Sequence, residues 1–181
     1  MSGADIIGVT GGAGGLQATY DAVRALADVF DATGDELRSW AADVSRALVD
    51  PDLVSGWLAE ADIDPRPGGR YDLEWVHFTL VRTTTGEITE LVEPRLLVVD
   101  TDNFGVTTIE LSTRDGHGTR LTVTVDALAD LQFTPMIAAT WRLSLEQLAE
   151  LLHGHPIDWR RWKTERSARW LELLALEQQR I

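Results

Sequence analysis

Two of the four histidines have a spacing that could suit metal binding. His153 and His155 are separated by a single glycine, whereas His77 lies in a predicted strand and His117 in a glycine-rich turn. A zinc site needs three or four ligands, and the chain contains no cysteine and no third histidine close to this pair. Histidines at the end of a helix are also favoured by the helix dipole. We therefore predict no metal site.

Nucleophilic and acid–base catalysis have no clear signature either. No Gly-x-Ser-x-Gly sequence is present, and every serine lies in an ordinary predicted helix or strand. Carboxylates are abundant because 29 residues are acidic, and Asp72 and Glu74 alternate with apolar residues, so we expect them to face solvent. The sequence assigns no catalytic residue and favours ligand binding over catalysis.

A glycine-rich segment near the start, residues 7–16, resembles the phosphate-binding loop of short-chain dehydrogenases. In such a loop, backbone amides and a helix N-terminus hold a pyrophosphate. Here Gln17 stands where a further glycine is required, no β-α-β unit follows, and no Tyr-x-x-x-Lys pair is present. A glycine pattern on its own is weak evidence. We predict a flexible leader at this position and no cofactor.

The composition argues against several classes of partner. The net charge of −13, from 29 acidic and 16 basic residues, repels nucleic-acid backbones and anionic lipid head groups. No stretch approaches the roughly 20 apolar residues of a membrane span, and residues 1–5 have no signal-peptide character. The absence of cysteine fits a reducing compartment. We predict a cytoplasmic protein that binds neither nucleic acid nor membranes.

The first part of the chain has helical periodicity. Apolar residues recur at spacings of three and four, which favours a helix over residues 17–30. A second helix is predicted between Gly34 and Pro51, because glycine and proline punctuate helices. Together these helices predict an α-helical hairpin within residues 1–50, ahead of a main domain in residues 51–181.

The main domain begins with a short predicted helix over residues 52–60 and then changes to strands. Tyr71, Leu73 and Trp75 alternate with acidic residues, which is typical of a half-buried strand. Further strands are predicted at residues 77–82, 87–92, 95–101, 106–112 and 119–125. Because short turns and no helices separate these strands, they must pair as antiparallel neighbours.

The last third of the chain is predicted to be helical. Pro135 suits the first position of a long helix, with Thr134 as its cap, and His153-Gly154 ends that helix. A final tryptophan-rich segment predicts one more helix.

Five segments form an ordered set of motifs. They are ALVDPDLVSGWL at 47–58, RPGGRY at 66–71, GEI with VEPRL at 86–96, GTRLTV at 118–123 and HPIDW at 155–159. In this order they resemble bacterial proteins related to the C-terminal domain of the Hsp90 ATPase activator, within the START-like (SRPBCC) helix-grip superfamily. The resemblance covers residues 45–165. It implies an α+β fold in which a curved antiparallel β-sheet wraps around the long C-terminal helix.

The front of the chain departs from that family. The family opens with a β-strand, but the strand candidate here, Ile6–Val9, is separated from the family-like part by the predicted hairpin. Residues 11–47 resemble instead small helical-hairpin proteins that actinobacteria encode near type VII secretion. If the hairpin replaces the first strand, strand 119–125 either has an exposed edge or takes its partner from Ile6–Val9. Exposed edges and unburied apolar helix faces promote self-association, so we expect a homodimer.

Seven tryptophans are many for a chain of 181 residues. Trp57, Trp75 and Trp141 fall on faces that point inward in a helix-grip fold. They form either plain core or the wall of a cavity for a small apolar or aromatic ligand. The predicted ligand-binding residues are Trp57, Tyr71, Leu73, Trp75, Ile88, Ile109, Leu111, Ile137 and Trp141.

Two other functions stay open. The same superfamily contains polyketide cyclases and aromatases, and such an enzyme would need a polar group inside the cavity, for which His77 and Arg82 are the nearest candidates. The chain could also be a protein-interaction module, either co-chaperone-like or acting through the N-terminal hairpin. A buried polar group would favour the enzyme, and a filled core would favour the interaction module.

Overall fold

A computed structural model describes residues 6–12, 15–20, 34–76, 82–113, 119–126 and 133–179. These residues form nine strands: β1 (Ile6–Gly12), β2 (Gly15–Tyr20), β3 (Glu60–Ile63), β4 (Tyr71–Glu74), β5 (Thr83–Thr84), β6 (Gly86–Val92), β7 (Leu96–Thr101), β8 (Gly105–Thr113) and β9 (Thr119–Asp126). The helices of the same residues are α1 (Gly34–Val49), α2 (Pro51–Val54), α3 (Thr134–Leu152), α4 (Trp162–Glu165) and α5 (Ser167–Gln178).

The strands form two antiparallel sheets that lie next to each other. Six strands follow the order β1-β2-β9-β8-β7-β6, and three follow the order β3-β4-β5. A bridge between Arg70 and Glu87 and a backbone hydrogen bond of 2.7 Å from Gly68 N–H to Ile88 C=O connect the second sheet to the first. The helix α3 packs its buried residues against the core that these sheets enclose. The fold is therefore the α+β helix-grip fold that the motifs implied.

The alternation of apolar residues predicts most of the sheet correctly. Along β9, Leu121, Val123 and Val125 are buried, whereas the residues between them are partly exposed. The predicted strands at 87–92, 95–101, 106–112 and 119–125 correspond to β6, β7, β8 and β9. A period of two places one set of side chains on the inner face, so the pattern also determines which residues form the core.

The first helix predicted at the front of the chain is wrong where the structure describes it, whereas the second is confirmed as α1 (Gly34–Val49). Residues 17–20 belong to β2, which pairs with β1 on one side and with β9 on the other, with Leu16 opposite Val125 and Tyr20 opposite Leu121. A spacing of four between Leu16 and Tyr20 fits one face of a strand as well as one face of a helix, and β9 supplies the backbone partners that favour the strand.

Three further expectations change with that result. The glycine-rich segment is not a flexible leader, because Ile6–Gly12 and Gly15–Tyr20 form a β-hairpin. The edge of β9 is not exposed, because β2 covers it. Residues 21–33, which hold the rest of the predicted first helix, lie outside the described residues. The division of the chain at residue 50 stays a prediction, and β2 already contributes to the sheet of the main domain.

The helices confirm the long C-terminal element and correct two details. The helix predicted at 52–60 is only the one turn of α2, because Glu60–Ile63 pairs with β4 as β3. Phe133, not Thr134, occupies the N-cap of α3, with no side-chain hydrogen bond there. Gly154 adopts a φ of 83° directly after α3, in the left-handed region that glycine tolerates best, and so ends the helix as predicted.

Candidate ligand-binding site

A pocket of about 550 Å³ lies between the sheets, α3 and the helices that follow it. Its lining is mostly apolar and strongly aromatic. The described lining residues are Leu58, Tyr71, Leu73, Trp75, Val76, Thr84, Val99, Thr101, Phe104, Thr107, Ile109, Met136, Ile137, Thr140, Trp141, Trp159, Trp162, Lys163, Ser167, Trp170 and Leu171. We call the lining residues up to Ile109, except Leu58, the sheet wall, and those from Met136 onward the helical wall.

Most of the sheet wall consists of inward residues of neighbouring strands, while Trp75 and Val76 follow directly after β4 and Phe104 directly precedes β8. Trp75 is 5% exposed, and its indole N–H donates to the hydroxyl of Thr84 at 2.8 Å. Its ring meets Phe104 edge to face, with the ring centroids 5.8 Å apart. Because Thr84 takes the polar atom of the indole, the surface that Trp75 contributes to the pocket is mainly aromatic carbon.

Tyr71 anchors the same wall to the last turn of α1. Its hydroxyl donates to the carbonyl of Leu48 at 2.9 Å, and the side chain is almost completely buried. Burial raises the pKa of the Tyr71 phenol well above its usual range, because the phenolate would lose its hydration. Tyr71 therefore acts as a neutral hydrogen-bond donor that holds the wall in place.

The helical wall is positioned by indole hydrogen bonds to distant parts of the chain. Trp159 donates to the carbonyl of Ser55 at 2.7 Å, and Trp170 donates to the hydroxyl of Thr140 at 3.2 Å. The backbone N–H of Ile157 donates to the carbonyl of Gly56 at 2.8 Å. The HPIDW motif is therefore attached to the turn after α2, and these indoles also present mainly hydrocarbon to the pocket.

The buried side-chain amide of Gln147 connects Trp57, in the segment after α2, with Trp162 in α4. The side chain is 1% exposed; its amide nitrogen donates to the carbonyl of Trp57 at 2.6 Å, and its amide oxygen accepts from the indole of Trp162 at 2.9 Å. Buried polar groups are costly unless paired, and here donor and acceptor both have partners. The amide thereby determines where Trp162 lies.

Ion pairs attach α5 to α3 behind the helical wall. Arg142 and Glu177 form a buried pair, with side chains 13% and 3% exposed. Arg169 donates to Glu146 at 2.7 Å, and this hydrogen bond is the main reason why the pKa of Arg169 is raised. Arg166 pairs with Glu150 in the same interface. These contacts hold the C-terminal helices over one side of α3.

One known protein family matches the part of the chain that forms the sheet wall and α3. The family described as Activator of Hsp90 ATPase homolog 1-like protein matches residues 39–153, which is more than half of the chain. The chain belongs to this family. A search of curated proteins finds no match.

Solved structures share the fold of this chain. The solution structure of CalU16 from Micromonospora echinospora is 17% identical, with a TM-score of 0.62 over 97% of this chain and 91% of that one. Ms6760 from Mycobacterium smegmatis is 19% identical, with a TM-score of 0.61 over 83% and 99%. An AHSA1-like protein from Aeromonas hydrophila is 22% identical, with a TM-score of 0.52 over 63% and 85%. At these identities the likeness shows the fold alone.

The structure brings six of the nine predicted binding residues to the pocket. These six are Tyr71, Leu73, Trp75, Ile109, Ile137 and Trp141. Trp57 lies in the core instead, with its indole N–H donating to the carbonyl of Ala47 at 2.9 Å. Ile88 is completely buried, and Leu111 lies beside a much smaller space of about 10 Å³. Whether the six residues contact a ligand stays a prediction.

Sequence reasoning missed the C-terminal part of the helical wall. Trp159, Trp162, Lys163 and Trp170 all line the pocket, yet they lie beyond the residues that the family match covers. One signal was available, since three of the seven tryptophans occur within twelve residues of a single helical segment. Such a concentration indicates a shared apolar surface, but the partner surface cannot be identified from it.

The residues that were candidates for catalysis or metal binding do not form a common site in the part of the chain that the structure describes. His77 and His117 lie outside the described residues, and Arg82 is exposed and does not line the pocket. His153 contacts the carbonyl of Ala149 at 2.6 Å. Among the described residues no group of three or more potential ligands is placed to hold a metal ion. None of the helices in those residues is long and apolar enough to cross a membrane.

Proposed function

We propose that this protein binds a small molecule with an apolar or aromatic body in the pocket between the sheet wall and the helical wall. The observation that carries the proposal is the hydrogen bonding of the indole N–H groups in the lining. Trp75, Trp159, Trp162 and Trp170 line the pocket, and each uses its N–H on a protein acceptor. Their exposed surface is then chiefly aromatic carbon, which favours apolar ligands.

The size of the pocket supports the same proposal. Ligand sites of about 300–1,000 Å³ with mainly apolar and aromatic linings are typical of small-molecule binding proteins. The pocket of about 550 Å³ falls within this range. A cyclase-like enzyme would add a reactive polar group, and the exposed Arg82 does not supply one. Small-molecule binding is therefore the function that the described geometry supports best.

The neutral fluorescent probe N-phenyl-1-naphthylamine tests this proposal. Its emission rises in apolar surroundings, and we expect saturable binding of one probe per chain with quenching of tryptophan fluorescence. Trp141→Ala removes a large part of the helical wall and should weaken binding several-fold, by roughly 1–2 kcal/mol for the lost apolar contact. Native mass spectrometry of the purified protein should in addition detect a co-purified small molecule.

Leu152→Ala provides the matched control for this experiment. Leu152 lies on the same helix as Trp141 and is also partly buried, but it does not line the pocket. We expect its probe affinity to equal that of the wild type. A folded wild-type protein that gives no saturable signal with the probe would refute the proposal, as would equal losses in the two variants.

Two expectations from the sequence stay proposals alongside this function. We propose a homodimer, now through the β1 edge of the six-stranded sheet or through α5, where Leu171 and Leu176 are 58% and 46% exposed. We also propose a cytoplasmic location, on the absence of cysteine. A dimer contact through α5 would lie beside the pocket, because Leu171 also lines it.

A further inference from the structure

Lys163 is the only lysine of the chain, and it lines the pocket. It lies in α4, within the helical wall, and its side chain is exposed to solvent. No carboxylate lies within ion-pair distance of its ammonium group in the part of the chain that the structure describes. A cation with no anionic partner therefore borders a space that is otherwise almost entirely apolar.

Unlike Lys163, most of the neighbouring cationic side chains form ion pairs. Arg142, Arg161, Arg166 and Arg169 each pair with a glutamate. With 29 acidic residues available, partners for cations are abundant on this protein. Lys163 thus keeps its charge available although most cations around it do not.

Two more polar groups face the pocket without a partner. Thr107 is 6% exposed, and its hydroxyl forms no hydrogen bond within the described ranges. The indole N–H of Trp141 likewise has no acceptor among those residues, unlike the four other indoles of the lining. An ammonium group and an indole N–H can only donate, and a hydroxyl can donate or accept. The free polar groups of the pocket therefore match a ligand that offers acceptors.

We propose that the ligand is an organic monoanion, such as a carboxylate, with an apolar or aromatic body, and that Lys163 binds its charged group at the pocket mouth. This inference rests on the proposed function and specifies its ligand class. Charge-assisted hydrogen bonds are stronger than neutral ones, so the anionic group adds orientation as well as affinity. The aromatic body lies against the indoles, and Trp141 and Thr107 are the donors available deeper along the lining.

The overall charge of −13 does not prevent binding of an anion here. Exposed charges farther apart than a Debye length, about 8 Å at physiological salt, are largely screened from each other. Glu165, the acidic residue nearest to Lys163 in the sequence, already pairs with Arg161. Lys163 therefore keeps a positive charge at the mouth that this carboxylate does not cancel.

Two probes that share a ring skeleton and differ by one sulfonate group test the inference. N-phenyl-1-naphthylamine is neutral, and 8-anilinonaphthalene-1-sulfonate carries a sulfonate on the same ring skeleton. We expect both to bind at one shared site in competition with each other. Lys163→Gln should weaken binding of the sulfonate probe about 5- to 10-fold, the size of one partly exposed charge-assisted contact, and leave the neutral probe within about 2-fold.

Arg160→Gln is the matched control for charge. Arg160 is three residues away and exposed, it also lacks an ion pair among the described residues, and it does not line the pocket. Its substitution should change the affinity of either probe by less than about 2-fold, because only long-range charge is lost. Both variants alter exposed side chains, so we expect both to fold normally.

Amine acylation followed by mass spectrometry gives an independent readout. No other lysine competes for the reagent, so protection of Lys163 by the sulfonate probe can be measured directly. Slower acylation in the presence of the sulfonate probe, but not of the neutral probe, supports the inference. If both probes bind and Lys163→Gln affects them equally, the role of Lys163 is refuted while the proposed function stands. If neither probe binds, both proposals fail.

Discussion

The two walls of the pocket are held in place by different forces. In the sheet wall, backbone pairing sets the positions, as where Val99 of β7 stands opposite Thr107 of β8 and both line the pocket. In the helical wall, side chains set the positions: Trp162 depends on Gln147, and α5 depends on its ion pairs with α3. The first wall is made by a repeating pattern, and the second by a few specific contacts.

This difference coincides in part with the extent of the family match. The family match ends at residue 153, so it includes the sheet wall and α3 but not Trp159, Trp162, Lys163 or Trp170. A wall that depends on few side chains can change with few substitutions, whereas a wall held by strand register cannot. We therefore expect the helical wall to determine ligand preference and to be the more sensitive to single substitutions.

The largest effect is expected at Trp162, where the helical wall is part of the core. The side chain is 7% exposed and donates to the buried amide of Gln147. Trp162→Ala removes that contact and leaves a large void, so it should lower the free energy of unfolding by about 3–5 kcal/mol. Urea unfolding followed by circular dichroism measures the change.

Trp141→Ala is the comparison within the same wall. Trp141 is partly buried, lines the pocket and has no hydrogen-bond partner for its indole among the described residues. Because the pocket already provides open space beside it, truncation should cost only about 1–2 kcal/mol. Equal destabilisation by the two substitutions would mean that Trp141 is solid core, and the contrast between lining and core would be lost.

A second test removes one charge from the interface between α3 and α5. Glu177→Gln leaves Arg142 buried without an anion, and breaking such a pair should cost about 2–4 kcal/mol. The matched control is Glu172→Gln on the same helix, where the carboxylate is 64% exposed and pairs with Arg169. An exposed pair contributes about 0–1 kcal/mol, so this variant should unfold almost like the wild type.

The outcome of this second test also bears on the pocket. If α5 is held mainly by the buried pair, Glu177→Gln should weaken binding of N-phenyl-1-naphthylamine, because Trp170 and Leu171 would lose their support. Unchanged unfolding in urea would show that apolar packing alone attaches the helix. The helical wall would then resemble the sheet wall in robustness.

The same contrast explains what could be predicted from the sequence. Period-two alternation and strand order are local patterns of the sequence. They therefore sufficed to predict four lining residues, Tyr71, Leu73, Trp75 and Ile109. Trp57 was predicted equally well to point inward, but alternation and helix faces cannot distinguish pocket lining from closed core. Only the three-dimensional packing shows that Trp57 is completely buried.

The predictions for the helical wall and for the front of the chain failed for another reason. The bond that fixes Trp159 joins residues 104 positions apart, and no local pattern contains such a contact. Similarly, apolar residues at positions 16 and 20 fit both a helix and a strand, and β9 decides between them through long-range pairing. Elements whose conformation depends on a distant partner are therefore the ones that sequence periodicity misassigns.

The smallest expected effect concerns Tyr71, which connects the sheet wall to the last turn of α1. Tyr71→Phe keeps the ring and removes one buried hydrogen bond to Leu48, so it should cost about 1 kcal/mol at neutral pH.

The wild type should also lose stability at alkaline pH. Burial raises the pKa of the folded-state phenol, so the unfolded chain ionises first, near pH 10, and is favoured as the pH rises further. Urea unfolding between pH 8 and roughly pH 11 should therefore show a decline above about pH 10. The decline should be shallower in Tyr71→Phe, since one group that ionises only on unfolding has been removed. Parallel pH profiles for the two proteins would mean that the phenol ionises equally in the folded and unfolded states. The bond to Leu48 would then be no constraint on the sheet wall.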